Sequence, residues 1–576
     1  MAHRHALLVL VGVAVLLSLA SGMTVSSPVL PTPAVVTPRP SLPTPEPASI
    51  LRIGVPGRVF SLDPLLATTP AEQLASSLLF RGLTRLGPNG SLVPDVARDW
   101  AVSGDGLTIT FDLRTDVHWH DGPLVDADDV LFTVGLLQDP ASGGASAPDW
   151  KQVSVERIDR FTVRFHLPQP LAGFLPLTTQ PLLPSHLLAG VPFGHWNALP
   201  LEASGIGDGY FRLASATDVV LQLERAGPPL GGVRATWAPG QPEPESTPYA
   251  AGEPRPPLDG ISIVLQANSA SLATAYASGT VDLAVGMAPA DAAALAARSG
   301  GHLIVDPTTT AAVLIPNLRF ANRPLSSVTV RQALSEAIDR RSDAATLAGG
   351  AAQPVITPFP QSWPGWDAAA SGAPSFDLAA AAAGLRAAGW TRVSSGWLRP
   401  GDSVPASIEL LTPDAANDPA LPALAEQVAA DWRRLGLVVT VVALPLDQLV
   451  SARMQSGNFD VALLNVDVGL EPDLYPLLVS TQAQVGGTNL SGFESSGLDS
   501  LLVAVRGETN PLLRSQQSTV LQATLRRLLP LVPVWFSDQV AVASDRLTGP
   551  SSRLVRDLGD LQWDVLAWRF ASGPAE

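Results

Sequence analysis

Between Gly104 and Val134 the chain spells out a strand, a loop and a capped helix, and few other conformations are open to it. Leu107-Thr-Ile-Thr-Phe-Asp-Leu113 alternates apolar and polar side chains with the two-residue period of a half-buried strand. The turn-forming Gly104-Asp105-Gly106 before it makes that strand one arm of a hairpin. Asp126 stands where a helix cap belongs, and Asp128 and Asp129 fall in the first turn, where the positive end of the helix dipole favours carboxylates. The segment reads as scaffold.

The whole chain has 576 residues with 46% hydrophobic content and no long polar tract in its body, which predicts one continuous, well-cored and multi-lobed protein. A net charge of -16 leaves no basic stripe to hold phosphates, which argues against nucleic acid and equally against anionic lipid as a partner. Cysteine is absent, so disulfides, thiolate nucleophiles and cysteine-ligated metal centres are excluded. The single lysine, Lys151, has no glycine loop before it, so no phosphate-binding Walker loop exists and any ATP is hydrolysed by another polypeptide. No Gly-x-Ser-x-Gly elbow and no His-Glu-x-x-His helix occurs, which leaves a secreted hydrolase as the weaker alternative and predicts a protein that is not an enzyme.

The amino terminus predicts export. His3, Arg4 and His5 precede an apolar run from Ala6 to Ala20, the length of a secretory signal's hydrophobic region and short for a membrane span. Residues 1–22 are therefore expected to be a signal peptide or signal anchor. Cleavage after Ala20 or Gly22 is slightly preferred. Residues 23–49 form a Pro-rich spacer of polyproline II character that cannot bury a core and that suits a stalk. A second Pro/Gly-rich stretch, from Ala226 to Pro257 with nine prolines, reads as a surface insertion.

The run from Gly82 to Val134 resembles the signature of the extracellular solute-binding proteins, family 5, that feed oligopeptides, dipeptides or nickel to ABC importers. The resemblance is carried by Pro94, Trp100, Asp105-Gly106-Leu107, Phe111, Leu113-Arg114, Val117, His120-Asp121-Gly122 and Ala127-Asp128-Asp129-Val130. It continues through Ser61-Leu-Asp-Pro64, Gly205-Ile-Gly-Asp-Gly-Tyr210, the helix from Val330 to Arg340, Gly457 to Leu464 and Pro530 to Trp535, in order and in register. Leu19-Ala20-Ser21-Gly22 is similar to the start of a lipoprotein box, with Met23 where the acylated cysteine would stand, so a standard lipoprotein is not expected.

What the resemblance implies is an α/β, periplasmic-binding-protein-like fold (class II, cluster C): a two-lobed clamp with an extra appended domain. The expected division is lobe I at 50–78, 199–263 and 530–576, an appended domain at 79–198, and lobe II at 264–529. Its implied partners are a peptide or other small solute and ABC permease membrane subunits with separate ATPase subunits. No cofactor is implied, a monomer is expected, and a transport-independent sensor or adhesin on the same fold stays open.

Five residues are expected to face the solute. Asp467 stands where peptide-binding relatives place an aspartate against the ligand's ammonium group, and Asp473 ends the same loop. Trp363 and Trp366 offer aromatic faces that either stack on a ligand or pack beneath a loop. Asn489 is either a ligand donor or a turn former. His118, His120 and Asp121 have metal-ligand chemistry, yet one His-x-His pair supplies too few ligands, so they are expected to be scaffold.

Overall fold

The computed structural model describes residues 49–87, 91–139, 150–227, 256–299, 301–373, 375–415 and 420–571. The expected leader, the spacer up to residue 48 and residues 228–255 of the expected insertion lie outside the described residues.

A continuous eleven-stranded sheet divides into two sub-sheets, one per lobe, that are joined by two long strands. In the first, β1 (Ile50–Pro56) runs parallel to β2 (Gly260–Gln266) and to β3 (Leu283–Val285). Next come the long β4 (His302–Pro316) and then β5 (Ser407–Pro413), β6 (Val438–Leu444) and β7 (Val461–Asp467). In this second group β5 is parallel to both β6 and β7, and β7 is antiparallel to β4. The last long strand, β8 (Val532–Ala543), pairs antiparallel with β4 along nearly its whole length and with β3 at its far end. Residues His302–Pro307 of β4 thus belong to the first sheet and Ala311–Pro316 to the second, with a register break between Pro307 and Ala311.

Each sheet is covered on both faces, as the period-two alternation of its strands requires. In the first lobe Ala541 and Ala543 of β8 join Ile53, Ile263 and Leu283 in one core, while Val540 and Val542 turn to Leu272, Val281 and Ala284 in another. Gly54 is what lets the second of these layers close: a Cβ there would lie 2.4 Å from Leu272 Cδ1. In the second lobe Ala312, Leu314 and Leu463 face one core, and Ala311, Val313 and Ala462 the other.

This pairing corrects the expected domain limits. The stretch from Val264 to Pro307 does not open the second lobe: β3 hydrogen-bonds to β1, and the helices Ser269–Ala277 and Pro289–Ser299 pack on the first sheet. The returning strand likewise remains in the second sheet beyond residue 530 and crosses near Ser537. A strand–helix–strand unit has the same hydrophobic pattern in either lobe, so sequence alone offered no signal for the side to which it belongs.

The span from Leu79 to Ala198 holds a four-stranded antiparallel sheet of Ala97–Val102, Thr108–Leu113, Thr162–His166 and Ser154–Asp159, and its Phe111, Trp119, Trp150 and Phe165 share a core with the first lobe. The capped helix of this span is α1 (Ala127–Gln138). Asp126 accepts the Asp128 N–H, and Asp129 returns a bond to the Asp126 N–H. Asp129 does more than stabilise a dipole: it is buried and also accepts from Trp119 Nε1 and from the Ser185 amide and hydroxyl. In the second lobe α2 (Leu421–Leu435) ends on Gly436 at φ 94°, a left-handed cap that glycine adopts without strain.

The joint between the appended span and the first lobe is polar and buried. His120 accepts the Gly207 N–H at Nδ1 and holds the Gly209 carbonyl at Nε2, which fixes a neutral tautomer, and burial lowers its pKa to about 4. Next to it Asp208 accepts the Arg81 N–H, and burial raises its carboxyl to about 8 despite the Arg81 charge. Because the folded-state value lies above the unfolded one, Asp208 stabilises the fold fully below about pH 4, and that contribution fades as pH rises through 8. Asp208→Asn, which keeps an acceptor for Arg81, is expected to make urea-unfolding stability less dependent on pH between 5 and 8 and to raise it at pH 8. Unchanged pH dependence would contradict this assignment.

Candidate functional site

Strand direction locates the site. β3 runs along β8 from Ala543 towards Ala541, so the carboxyl ends of β1, β2 and β3 all point at the crossing. β7 ends at Asp467 opposite Thr310, in the register break of β4, and β5 and β6 run the same way. The carboxyl ends of both parallel groups therefore converge, and open α/β sheets bind ligands at that end.

Three segments line this convergence. After β1 comes the Phe60–Asp63 loop, which is pinned by Glu72: that buried carboxylate accepts the N–H groups of Phe60, Ser61, Thr68 and Thr69. Phe60 is nevertheless 68% exposed as a residue. After β7 comes the Asp467–Asp473 loop. The third segment is Ser551–Asp557, which lies across the crossing: Thr309 N–H donates to Val555 O at 3.0 Å, Val555 N–H to Pro307 O at 2.9 Å, and Arg553 N–H to the buried Asp306 at 3.0 Å.

The five expected site residues do not form one constellation. Asp467 is exposed; one oxygen accepts the Gly469 N–H at 2.9 Å and the other has no partner among the described residues. Asp473 is paired with Arg506 at 3.2 Å and accepts the Tyr475 N–H, and burial raises its pKa. Trp363 is 6% exposed, stacks on Phe359 with centroids 5.5 Å apart, and bonds to Glu471, itself paired with Arg514. Trp363, Asp473, Glu471 and Arg506 line a cavity of about 20 Å³, room for a single water, under Leu171–Gly173 of the appended span. There Ala172 N–H donates to Arg506 O at 2.9 Å. Trp366 is half-buried at the edge of the same core.

Asn489 is fully enclosed. Its amide donates to Val479 O and Phe493 O, and its carbonyl accepts from Ser491 Oγ and Gly492 N–H, so its side chain has no group left for a ligand. Its backbone oxygen accepts from Arg319, which also holds the carbonyls of Met454, Ala483 and Leu490. The loop is a turn knit around an arginine.

Residues 91–486 match the family described as bacterial extracellular solute-binding proteins, family 5 Middle. The chain belongs to this family. It is 28% identical to Protein XP55 of Streptomyces lividans over 88% of this chain and 87% of that protein. It is 23% identical to the dipeptide-binding protein of Pseudomonas aeruginosa, over 83% and 88% respectively. The fold matches the oligopeptide-binding protein AppA of Bacillus subtilis, solved with a nonapeptide, at a TM-score of 0.68 and 18% identity, covering 92% of this chain and all of that one.

Within the family signature the His-Asp-Gly element is structural here. Both His120 nitrogens are used at the joint, and Asp121 pairs with His186 at 2.9 Å. Sequence reasoning missed Glu471, Arg506, Arg514 and Arg556. Arg556 and Asp560, four residues apart, look like an ordinary surface helix pair, and nothing in their spacing reveals that they flank a crossing.

Asn489→Ala removes two donors from buried carbonyls and is expected to cost about 2–3 kcal/mol in urea unfolding, whereas Asp467→Asn, at an exposed position, should stay within about 0.5 kcal/mol. Equal costs would contradict the division between a knit turn and an open carboxylate.

Proposed function

We propose that this chain is the extracytoplasmic binding component of an ABC import system, and that it closes two lobes over a peptide-like solute and presents it to the permease. The observation that carries the reading is the convergence of both sets of strand carboxyl ends on a two-strand crossing, with the open carboxylate of Asp467 at its edge. Two antiparallel strands and one overlying segment form a narrow connection, which bends more readily than either doubly covered sheet, so the lobes swing about residues 307–310 and 537. Family membership and the name of the dipeptide-binding relative support a peptide as the solute.

Asp467 receives the solute's ammonium group: a carboxylate with one unspent oxygen compensates the charge that a cationic end loses on leaving water. Export through the amino-terminal segment places the protein outside the cytoplasmic membrane, tethered or released. Transport requires separate membrane and ATPase subunits, because the chain has no phosphate-binding loop.

Native mass spectrometry of the purified protein is expected to show short peptides carried through purification. Calorimetric titration should then show Asp467→Asn weakening a free-amino peptide by about 10–100-fold, the worth of one charge-assisted bond, and leaving its N-acetyl form little changed. A co-purified oligosaccharide or metal in place of peptide, or turnover of the solute by the isolated chain, would overturn the proposal.

A further inference from the structure

The second lobe carries a cavity at the end of its sheet that faces away from the crossing. About 420 Å³ in volume, it is walled by the 322–324 loop after β4, by the 399–407 segment that leads into β5, and by Asp460 at the start of β7. The convergence proposed to take the solute lies at the carboxyl ends of the same strands, a strand length away. The volume is that of a small-molecule site, for which about 300–1,000 Å³ is typical.

Two ion pairs hold the walls. Arg323 binds Asp460 at 3.1 Å and the Gly457 carbonyl at 3.2 Å, and the second Asp460 oxygen accepts the Glu409 N–H at 3.0 Å. Arg399 binds Asp402 at 2.6 Å and donates to the Asn322 carbonyl, which ties the two loops to each other. The lining thus holds two arginines, two aspartates and no net charge. Several polar groups on it are nevertheless unspent: Asp402 Oδ1, Arg399 Nη2, the Asn322 amide and the hydroxyls of Ser403 and Ser407 have no hydrogen-bond partner among the described residues. Apolar surface stands open beside them. Val404 is 69% exposed, and Phe320, 46% exposed, has its ring centre 5.9 Å from the Arg323 guanidinium.

This combination selects a ligand class. An ion would give up its hydration for a lining whose charges already cancel, with a like charge beside every opposite one. A hydroxyl group both donates and accepts, so it satisfies carboxylate, guanidinium, amide and serine alike. Water also does so, but water leaves Phe320 and Val404 uncovered, whereas the C–H face of a sugar ring packs on an aromatic or aliphatic surface.

We propose that this cavity binds a neutral sugar of one or two pyranose rings, at the end of the second lobe remote from the transported solute. The inference goes beyond the import reading and requires neither the crossing nor Asp467. Each polar contact replaces one with water, so the net gain is small and a dissociation constant of about 1 mM is expected. A sugar held that weakly is lost during purification, which distinguishes it from a solute carried through in the cleft.

The test is saturation-transfer NMR of the full chain with cellobiose and maltose, with digalacturonate as an acidic probe and the glucosamine dimer as a basic one. Transfer to the ring protons of a neutral disaccharide is expected, with binding about 5-fold or more tighter than for either charged probe. In the double variant Asn322→Ala, Asp402→Ala the affinity is expected to fall about 10-fold, as for two lost hydrogen bonds. Circular dichroism establishes that the variant is folded, and the comparison of neutral with charged probes on wild type stands without any variant. No transfer to either neutral disaccharide, tighter binding of a charged probe, or undiminished transfer in the folded double variant would overturn the inference. Each of these results leaves the peptide reading intact, and failure of wild type to bind peptides would overturn that reading alone.

Discussion

The structure depends on one constraint: β4 and β8 must satisfy their backbone groups in two sheets at once. Each strand is long enough to serve both lobes, and between Pro307 and Ala311 their mutual ladder breaks. A broken ladder in a buried position needs replacement partners. They come from outside the pair: Val555 takes the Thr309 N–H and donates to Pro307 O, and Val468 N–H donates to Thr309 O. The segment that lines the proposed site is thus the same segment that repairs the crossing, so a solute bound at Asp467 as proposed would touch the joint itself.

Around the crossing, charge is arranged in two ways. Deep in the second lobe, arginines act as carbonyl binders: Arg331 holds Leu325, Ser326, Leu528 and Leu529, and Arg340 holds Ser335 and Pro533. These groups have no unpaired carboxylate to offer a ligand and serve to tie loops and helix ends to the sheet. At the convergence the pattern changes to groups with unspent atoms: the exposed carboxylate of Asp467, which accepts one backbone N–H, and the Arg556–Asp560 pair. A cavity of about 420 Å³ around Arg323, Arg399, Asp402 and Asp460 lies at the amino ends of β5 and β7. It is roughly 20 Å from the crossing at the rise of an extended strand, and its arginines are already paired with Asp460 and Asp402. Size alone therefore does not mark the site.

Much of the scaffold was legible in the sequence because it rests on local chemistry. The hairpin strand Thr108–Leu113, the Asp126 cap and the Gly436 stop each follow from a few neighbouring residues, and the family signature added their order. The helix Pro70–Leu79 likewise opens on a local signal, the capping box of Thr69 and Glu72 ahead of its apolar run. The lobe limits were not legible, since which sheet a strand joins is decided by pairing across 200 residues or more, as between β4 and β8. Site residues were the least legible. Asp467, Asp473 and Glu471 share one loop and one composition, yet only Asp467 remains open, because Arg506, Arg514 and Leu171–Gly173 arrive from remote segments to cover the other two.

If the two lobes swing about the crossing and close on a solute, the distance between them must shorten on binding. The absence of native cysteine permits unambiguous spin labelling at Ala277→Cys in the first lobe and Ala452→Cys in the second, both at exposed positions. Pulsed electron paramagnetic resonance on that doubly labelled chain should show a broad distance distribution without solute that narrows and shifts to shorter distance when a bound peptide saturates it. An identical distribution with and without the bound peptide would contradict the account.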